Sequence, residues 1–489
     1  MPYSADALKI YLVLGLSSGA AGGLAVMLIP GARRRLRNMI TLLFAASGAV
    51  FSWLTALSVF AGKGTRIGFV SGDLEWSLDP DPLGAVFGLI ASTLWMFATV
   101  YSFGYMAEKS GQRVYYSFFL FSLSAAVGVA FAGNLVTLYL FYELLTLATY
   151  PLVIHERTPE AAAAGTKYIM YNLSGAGAIL IAIIITYRYA GDPGFTGGPV
   201  LAGVNSPMLG WLLVMYIVGF GVKAALMPLH RWLPAAMVAP TPVSALLHAV
   251  AVVYAGVFGV IRVVYSVFGR GLAGQLGISR VLPWVAASTI LAGVIVALRQ
   301  DVLKRRLAYQ TVSHLSYILL GAFTLQPWGL AGAMMQMITY PFMKMTLFFC
   351  AGIIARQTGE TRISRMGGVG RKLPWTMAAF TAAALGMTGM LPLSTFWGKY
   401  YLMKGSVAGG MWPFALVLAA SGLINAACFI PVVVQAFRGD KTPSCKEKGG
   451  SMALMFAPAA ALVVIALVTG LVPGIVWPGA EAVTDWFFG

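Results

Sequence analysis

The sequence predicts an all-α polytopic membrane protein with about fourteen transmembrane helices. Three observations carry this. Hydrophobic residues make up 59% of the 489 and charged residues only 10%, at a mean hydropathy of +0.81; a soluble domain carries about 25% charged residues. Apolar stretches of the ~20 residues that cross a bilayer recur along the whole chain. The basic residues gather in the connections between them and divide unequally between the two sides. Together these exclude a soluble domain, a disordered chain and a disulfide scaffold. They also exclude a nucleic-acid binder, despite the formal net charge of +17. That charge reads as loop lysines and arginines that orient membrane helices. Cys350, Cys428 and Cys445 are scattered and form no CxxC pair. A thiolate-bound metal or iron–sulfur cluster is therefore not expected.

Taken in order, the spans are 8–29, 38–61, 83–106, 115–132, 134–154, 162–190, 207–229, 242–267, 281–299, 302–325, 328–355, 374–402, 411–437 and 453–477. Lys9 leads into a long apolar run without a cleavable signal pattern, so the first span is expected to be retained. An even count puts both termini on one side. The seventh span is interrupted by proline around Lys223, Pro228 and Pro234, and the twelfth around Leu391, Pro392 and Lys399. Paired interruptions of this kind point to inverted repeats and a transport site.

Loops after odd-numbered spans hold 21 basic residues, among them Arg33, Arg34, Arg35, Arg37, Lys109, Arg113, Arg157, Lys441, Lys446 and Lys448, against 7 after even ones. The positive-inside rule then places the odd loops in the cytoplasm and both termini outside. The acidic group Asp73, Glu75, Asp79 and Asp81 falls in an outer loop. Topology explains the basic clusters; docking of a partner or an anionic lipid is the other reading.

Five basic residues remain within spans: Lys167, Lys223, Arg262, Lys344 and Lys399. One acid, Glu143, lies well inside a span. A charge at the bilayer centre costs at least ~2.5–3.5 kcal/mol, so such residues face an interior or a wet cavity. Snorkelling is the competing reading for the lysines. It is strained for Lys344, open for Lys223, Lys399 and Lys167, and favoured for Arg262. Glu143 also reads as a neutral, hydrogen-bonded buried acid. His155 and His230 lie at span ends, whereas His248 and His314 sit in apolar segments. Two buried histidines beside buried lysines favour proton handling over packing.

Residues 223–256, KAALMPLHRWLPAAMVAPTPVSALLHAVAVVYAG, strongly resemble the diagnostic segment of the antiporter-like subunits of respiratory complex I, Mrp sodium/proton antiporters and group 4 membrane hydrogenases. DVLKRRLAYQTVSHLSYILLG at 301–321, YPFMKMTLFF at 340–349, LPLSTFWGKY at 391–400 and LFYELLTLATYPLV at 140–153 resemble further motifs of that family. The resemblance runs from about residue 80 to about residue 440. It implies fourteen helices, broken helices 7 and 12, and two inverted five-helix repeats. The implied division is 1–106 (helices 1–3), 107–267 (first repeat), 281–437 (second repeat) and 453–489 (helix 14 and a short tail). It also implies a proton pathway through Glu143, Lys223, His248, Lys304, Lys344 and Lys399. His230 and His314 are additional relay candidates. Hydropathy alone would make Lys304 a loop charge. His314 stands where relatives often have glutamine.

The expected function is a proton-translocating subunit of a multi-subunit complex in the cytoplasmic (inner) membrane, driven by redox chemistry as in complex I or a group 4 hydrogenase. The alternative is the D-type subunit of an Mrp secondary antiporter. No cofactor, metal or catalytic redox site is expected in this chain, since no nucleotide-binding glycine motif follows a strand. Partners would be other antiporter-like and small membrane subunits, peripheral redox subunits, the bilayer, protons and, in the alternative, sodium. Only about a dozen residues follow the last span, without a long lateral helix, which argues against the distal, longest complex I subunit. A carboxylate and an ammonium about 6 Å apart attract by roughly 2.8 kcal/mol at an effective dielectric of ~20. When the Glu143–Lys223 pair opens, desolvation favours the neutral amine and frees a proton toward His248.

Overall fold

Backbone amides in a bilayer core find no water, so a spanning segment must close its hydrogen bonds internally. The chain meets this with helices throughout. A computed structural model describes residues 5–30, 33–72, 74–191, 194–438 and 451–489. Asp73, Lys441, Cys445, Lys446 and Lys448 lie outside the described residues.

The first half runs α1 Ala5–Leu28, α2 Arg34–Phe60, the strands β1 Ile67–Ser71 and β2 Leu74–Leu78, α3 Pro82–Tyr105, α4 Gln112–Phe131, α5 Leu135–Val153, α6 Pro159–Ala190 and α7 Leu209–Lys223. A 3-10 turn Leu229–Arg231, the short α8 Trp232–Ala235 and a second 3-10 turn Ala236–Val238 lead to α9 Thr241–Ala249, α10 Val252–Arg262, a π-helical turn Val263–Phe268 and α11 Gly269–Gln275. Then follow α12 Ile278–Leu298, α13 Leu303–Phe323, α14 Pro327–Thr358, α15 Val369–Lys372, α16 Pro374–Thr388, α17 Thr395–Ala408, α18 Trp412–Phe437, α19 Ser451–Leu471 and α20 Trp477–Phe488.

Local sequence explains several starts. Asp81 caps α3 by accepting from the Gly84 amide at 2.8 Å, with Pro82 at the first helical position. Asn134 caps α5 through the Thr137 amide, and Thr158 caps α6 through Ala161. Among the described residues, eleven helices are long and apolar enough to cross a membrane. The other three expected spans are also helical but do not meet that measure. Two are the broken seventh and twelfth, and the third is α13, which carries Lys304, Arg305, Arg306, Gln310 and His314.

Several expectations change. The loop after α2 is an antiparallel hairpin, pairing Ile67 with Leu78 and Phe69 with Trp76. The eighth span is not one helix: it breaks at Val250–Ala251 and ends in the π turn. The tail after α19 forms α20, which packs against α14 and α3. Arg262 does not snorkel. It is fully buried and forms a two-pronged ion pair with Asp81, its Nη2 donating to Oδ1 at 2.7 Å and its Nη1 to Oδ2. The "outer loop" acid is thus a buried helix cap that also holds α10 to α3.

The core lies where α9, α10 and α14 run. The apolar windows of Thr241–Gln275 and Pro327–Thr358 are wholly buried, and α13 is buried along nearly its whole length from Arg306 to Phe323. The outer helices show large apolar side chains on their far faces, such as Leu24, Leu147 and Leu423. A polar helix like α13 is tolerable because protein, not lipid, surrounds it.

Candidate functional site

Glu143 stands in the ninth position of the 19-residue α5, about 12 Å from its start and so at mid-depth. Lys223 is the last residue of α7 and is completely buried. Its Nζ lies 3.7 Å from Glu143 Oε1, donates to the Tyr142 carbonyl at 2.5 Å, and sits 3.2 Å from the centre of the Tyr142 ring. The pair is asymmetric: the Glu143 side chain keeps 16% exposure, and its buried Oε1 has no hydrogen-bond partner. The ammonium is therefore held by three groups of α5 and the carboxylate by the ammonium alone.

α7 ends at Lys223 because the next residues cannot continue it. Ala225 takes a positive φ of 55°, and Pro228 offers no amide. The Trp232 indole donates to the Val222 carbonyl at 2.7 Å, satisfying one group freed by the break. Gly256 of α10 presses on the same spot. A Cβ there would collide with the Ala224 amide nitrogen and lie 2.8 Å from Lys223 Cβ, so only glycine admits this approach.

A second group of ionisable residues fills the core. His248 is the penultimate residue of α9, two residues before the unexpected break at Val250, with Nδ1 3.2 Å from Thr311 Oγ1 and Nε2 unpartnered. The charges bearing on it are Lys344 and Lys304. Lys344, completely buried in the middle of α14, donates to the Leu307 carbonyl at 2.5 Å. His314 of α13 is 1% exposed, with both ring nitrogens unpartnered. It packs between the rings of Tyr317 at 4.7 Å and Tyr340 at 4.9 Å, and the charges bearing on it are Lys399 and Lys344. Gln310, Gln336 and Asn425 are also buried, each with both side-chain polar atoms unpaired. Buried polar groups of this kind are ordinarily satisfied by internal water.

Lys399 lies in the second turn of α17, which starts at Thr395. Its Nζ turns back and donates to the carbonyls of Met387 and Thr388 at 2.9 and 2.8 Å. Those carbonyls are orphans at the C-terminus of α16, the negative end of its dipole. At 7% exposure, Lys399 does not reach toward solvent.

The remaining candidates separate. Lys304 sits in the first turn of α13, half-buried, donating to the Ala239 carbonyl at 2.8 Å; its charged neighbours are Lys109 and Glu156. It therefore lies between the basic loop side and His248. His230 stands in a 3-10 turn at 5.9 Å from the Tyr309 ring and joins neither cluster. Lys167 is exposed on α6. Sequence reasoning missed Tyr142, Thr311, Tyr317 and Tyr340, which surround the charges. Only Tyr142 carried a signal, as the neighbour of Glu143.

An all-helical membrane bundle with an ion pair at a helix break and a file of buried bases through its core is the architecture of an ion-translocating membrane subunit. The chain belongs to the family described as NADH:quinone oxidoreductase/Mrp antiporter, TM, which it matches over residues 132–424. It is 33% identical over 401 residues to NADH-quinone oxidoreductase subunit N of Desulforudis audaxviator, covering 80% of this chain and 78% of that one. It is 26% identical over 434 residues to the D-type Na(+)/H(+) antiporter subunit of Bacillus subtilis, covering 87% of each. Its fold matches a chain of the Mrp complex from Dietzia sp. DQ12-45-1b with a TM-score of 0.85, at 19% identity over 99% of this chain and 97% of the other.

Proposed function

We propose that the chain moves protons as one antiporter-like subunit of a larger membrane complex, driven by redox chemistry in partner subunits. The observation that carries this is the file of buried bases. His248 packs on Phe348, whose ring Lys344 Nζ faces at 5.7 Å, and His314 packs on Tyr317 and Tyr340, which face Lys399 at 5.5 Å and Lys344 at 5.9 Å. No packing requirement explains buried bases so arranged across four helices. Protons enter from the basic loop side near Lys304 and pass His248, Lys344 and His314 to Lys399. Water bridges the steps, the Lys223-to-His248 step among them, because the side chains do not touch. The Glu143–Lys223 pair sets the timing: opened, it lets Lys223 release its proton to the file; closed, it draws one back.

The odd-numbered loops face the cytoplasm in this reading, both termini face outward, and spans 4–8 and 9–13 form the two repeats. Similarity to the D-type antiporter subunit over 87% of both chains supports the second reading, a secondary sodium/proton antiporter subunit. Reconstituting the complex in liposomes and following a lumenal pH dye tests the proposal. Lys344→Ala should abolish proton uptake, whereas Lys167→Ala, on the exposed face, should not change it. Equal uptake by both variants would overturn the proposal. Uptake that requires a sodium gradient, rather than an electron donor, would select the second reading.

A further inference from the structure

The file of bases leaves unused a basic recess on the loop side. Arg34, Arg37, Lys109, Gln112 and Arg113 line a cavity of about 400 Å³. Lys109 is neutralised by Glu156. Arg34, Arg37, Arg113 and the nearby Arg157 pair with no carboxylate among the described residues. Arg37 is the telling member. It is 4% exposed, donates to Gln112 Oε1 at 2.5 Å and to Asn38 Oδ1 at 2.9 Å, lies 5.1 Å from the Tyr116 ring centre, and keeps its buried Nε unpartnered. A guanidinium held inside a cavity wall with a free donor and no acid is an anion receptor without its anion. Helix α4 begins beside it at Gly111 with no side-chain cap, leaving first-turn amides available.

The recess does not stop at the surface. Across the shared wall residues Ser110 and Gly111 it adjoins a second cavity of about 240 Å³, lined also by Val114, Pro151, Ile154, His155 and Arg157. One turn deeper lies an apolar groove of about 300 Å³ between α1, α4 and α5. Its walls are Phe118 and Phe121 on the same face of α4 as Val114, and Leu144 and Leu147 on the same face of α5 as Pro151 and Ile154. Leu144 and Leu147 are 41% and 54% exposed, so the groove opens sideways toward the bilayer. A positive mouth at the loop side continuing into an apolar trough at membrane depth has the shape and charge of one ligand class.

We propose that α1, α4 and α5 form a binding site for an anionic phospholipid, its phosphate held by Arg37, Arg113 and Arg157 and one acyl chain lying along Phe118, Phe121 and Leu147. A free phosphate would use the mouth but leave the groove without purpose. A zwitterionic lipid would bring a second cation to an already positive recess.

Native mass spectrometry of the detergent-purified full chain with its co-purifying partners tests this. Dioleoyl-phosphatidylglycerol should be retained at least about tenfold more tightly than dioleoyl-phosphatidylcholine. Each basic residue near an anionic headgroup is worth roughly fivefold in affinity. Arg113→Ala with Arg157→Ala, both exposed, should therefore weaken phosphatidylglycerol by about twenty-fold without disturbing the fold. Ala20→Trp fills the groove from α1 and should expel the lipid with the mouth intact. Three results would each overturn the proposal. Both variants could retain phosphatidylglycerol as the wild type does. Inorganic phosphate could displace the lipid at matched concentration, marking a free-phosphate site. A partner chain could cross-link to position 147 in native membranes with no lipid bound, marking a protein interface.

Discussion

Glu143→Gln tests the ion pair most directly, because it removes the charge and keeps the shape. In the structure Glu143 Oε1 lies 3.7 Å from Lys223 Nζ. At an effective dielectric of ~20 that separation corresponds to about 4.5 kcal/mol of attraction. The 16% exposure of Glu143 admits solvent and calls for a discount. Half the figure, about 2.2 kcal/mol, still corresponds to roughly a forty-fold change in rate. Lys223 would keep the Tyr142 carbonyl and ring, so its position should survive. Proton translocation should therefore fall at least about forty-fold while assembly, read on a native gel, is unchanged. Glu143→Asp retracts the carboxylate by one methylene, to about 5.2 Å, and retains about 3.2 kcal/mol by the same relation. Halved for the same exposure, the lost ~1.3 kcal/mol becomes about 0.65, so it should lose only about threefold. Assay of both variants in proteoliposomes gives the order wild type, Asp, Gln. A Gln variant that assembles and pumps within twofold of wild type would show that the charge of Glu143 has no part in transport.

Three further outcomes are expected. Arg262→Met should strip Asp81 of its counter-charge in a buried site and cost about 3–5 kcal/mol, read as a fall in Tm; Asp81→Leu added to it should recover part, less the ~1 kcal/mol of the lost α3 cap. Gly256→Leu should displace the α7 break that carries Lys223 and abolish transport in an assembled complex; normal transport would show that the close approach at Ala224 is not needed. Lys399→Arg keeps a cation at the α16 carbonyls but cannot cycle a proton, so transport should fail while thermal stability holds; a pumping arginine variant would reduce Lys399 to a helix cap.

Much of this molecule is legible in its residues. Hydropathy alone locates helices in each of the expected segments, because a bilayer imposes one solution on every apolar stretch of sufficient length. Pro228 and Pro392 announce the two interruptions, because proline removes an amide wherever it stands. Glu143, Lys223 and Lys344 stand out because a charge in an apolar run is costly enough to need a reason. These are local properties, carried by composition and spacing.

What depends on distant partners was not legible. Nothing near Arg262 in the chain distinguishes a snorkelling arginine from a buried one; the difference is Asp81, 181 residues away. The break after His248 has no proline inside it, and His314 gains its place through Tyr317 and Tyr340, whose rings face Lys399 and Lys344. Lys399 sits near the far end of its span by count, yet its ammonium turns inward because α16 ends beside it with unsatisfied carbonyls. Sequence by itself determined which segments form apolar helices and which charges had to be housed. Tertiary structure alone decided which charges meet, because an ammonium's direction is set by the acceptors packed around it and not by its position along the helix.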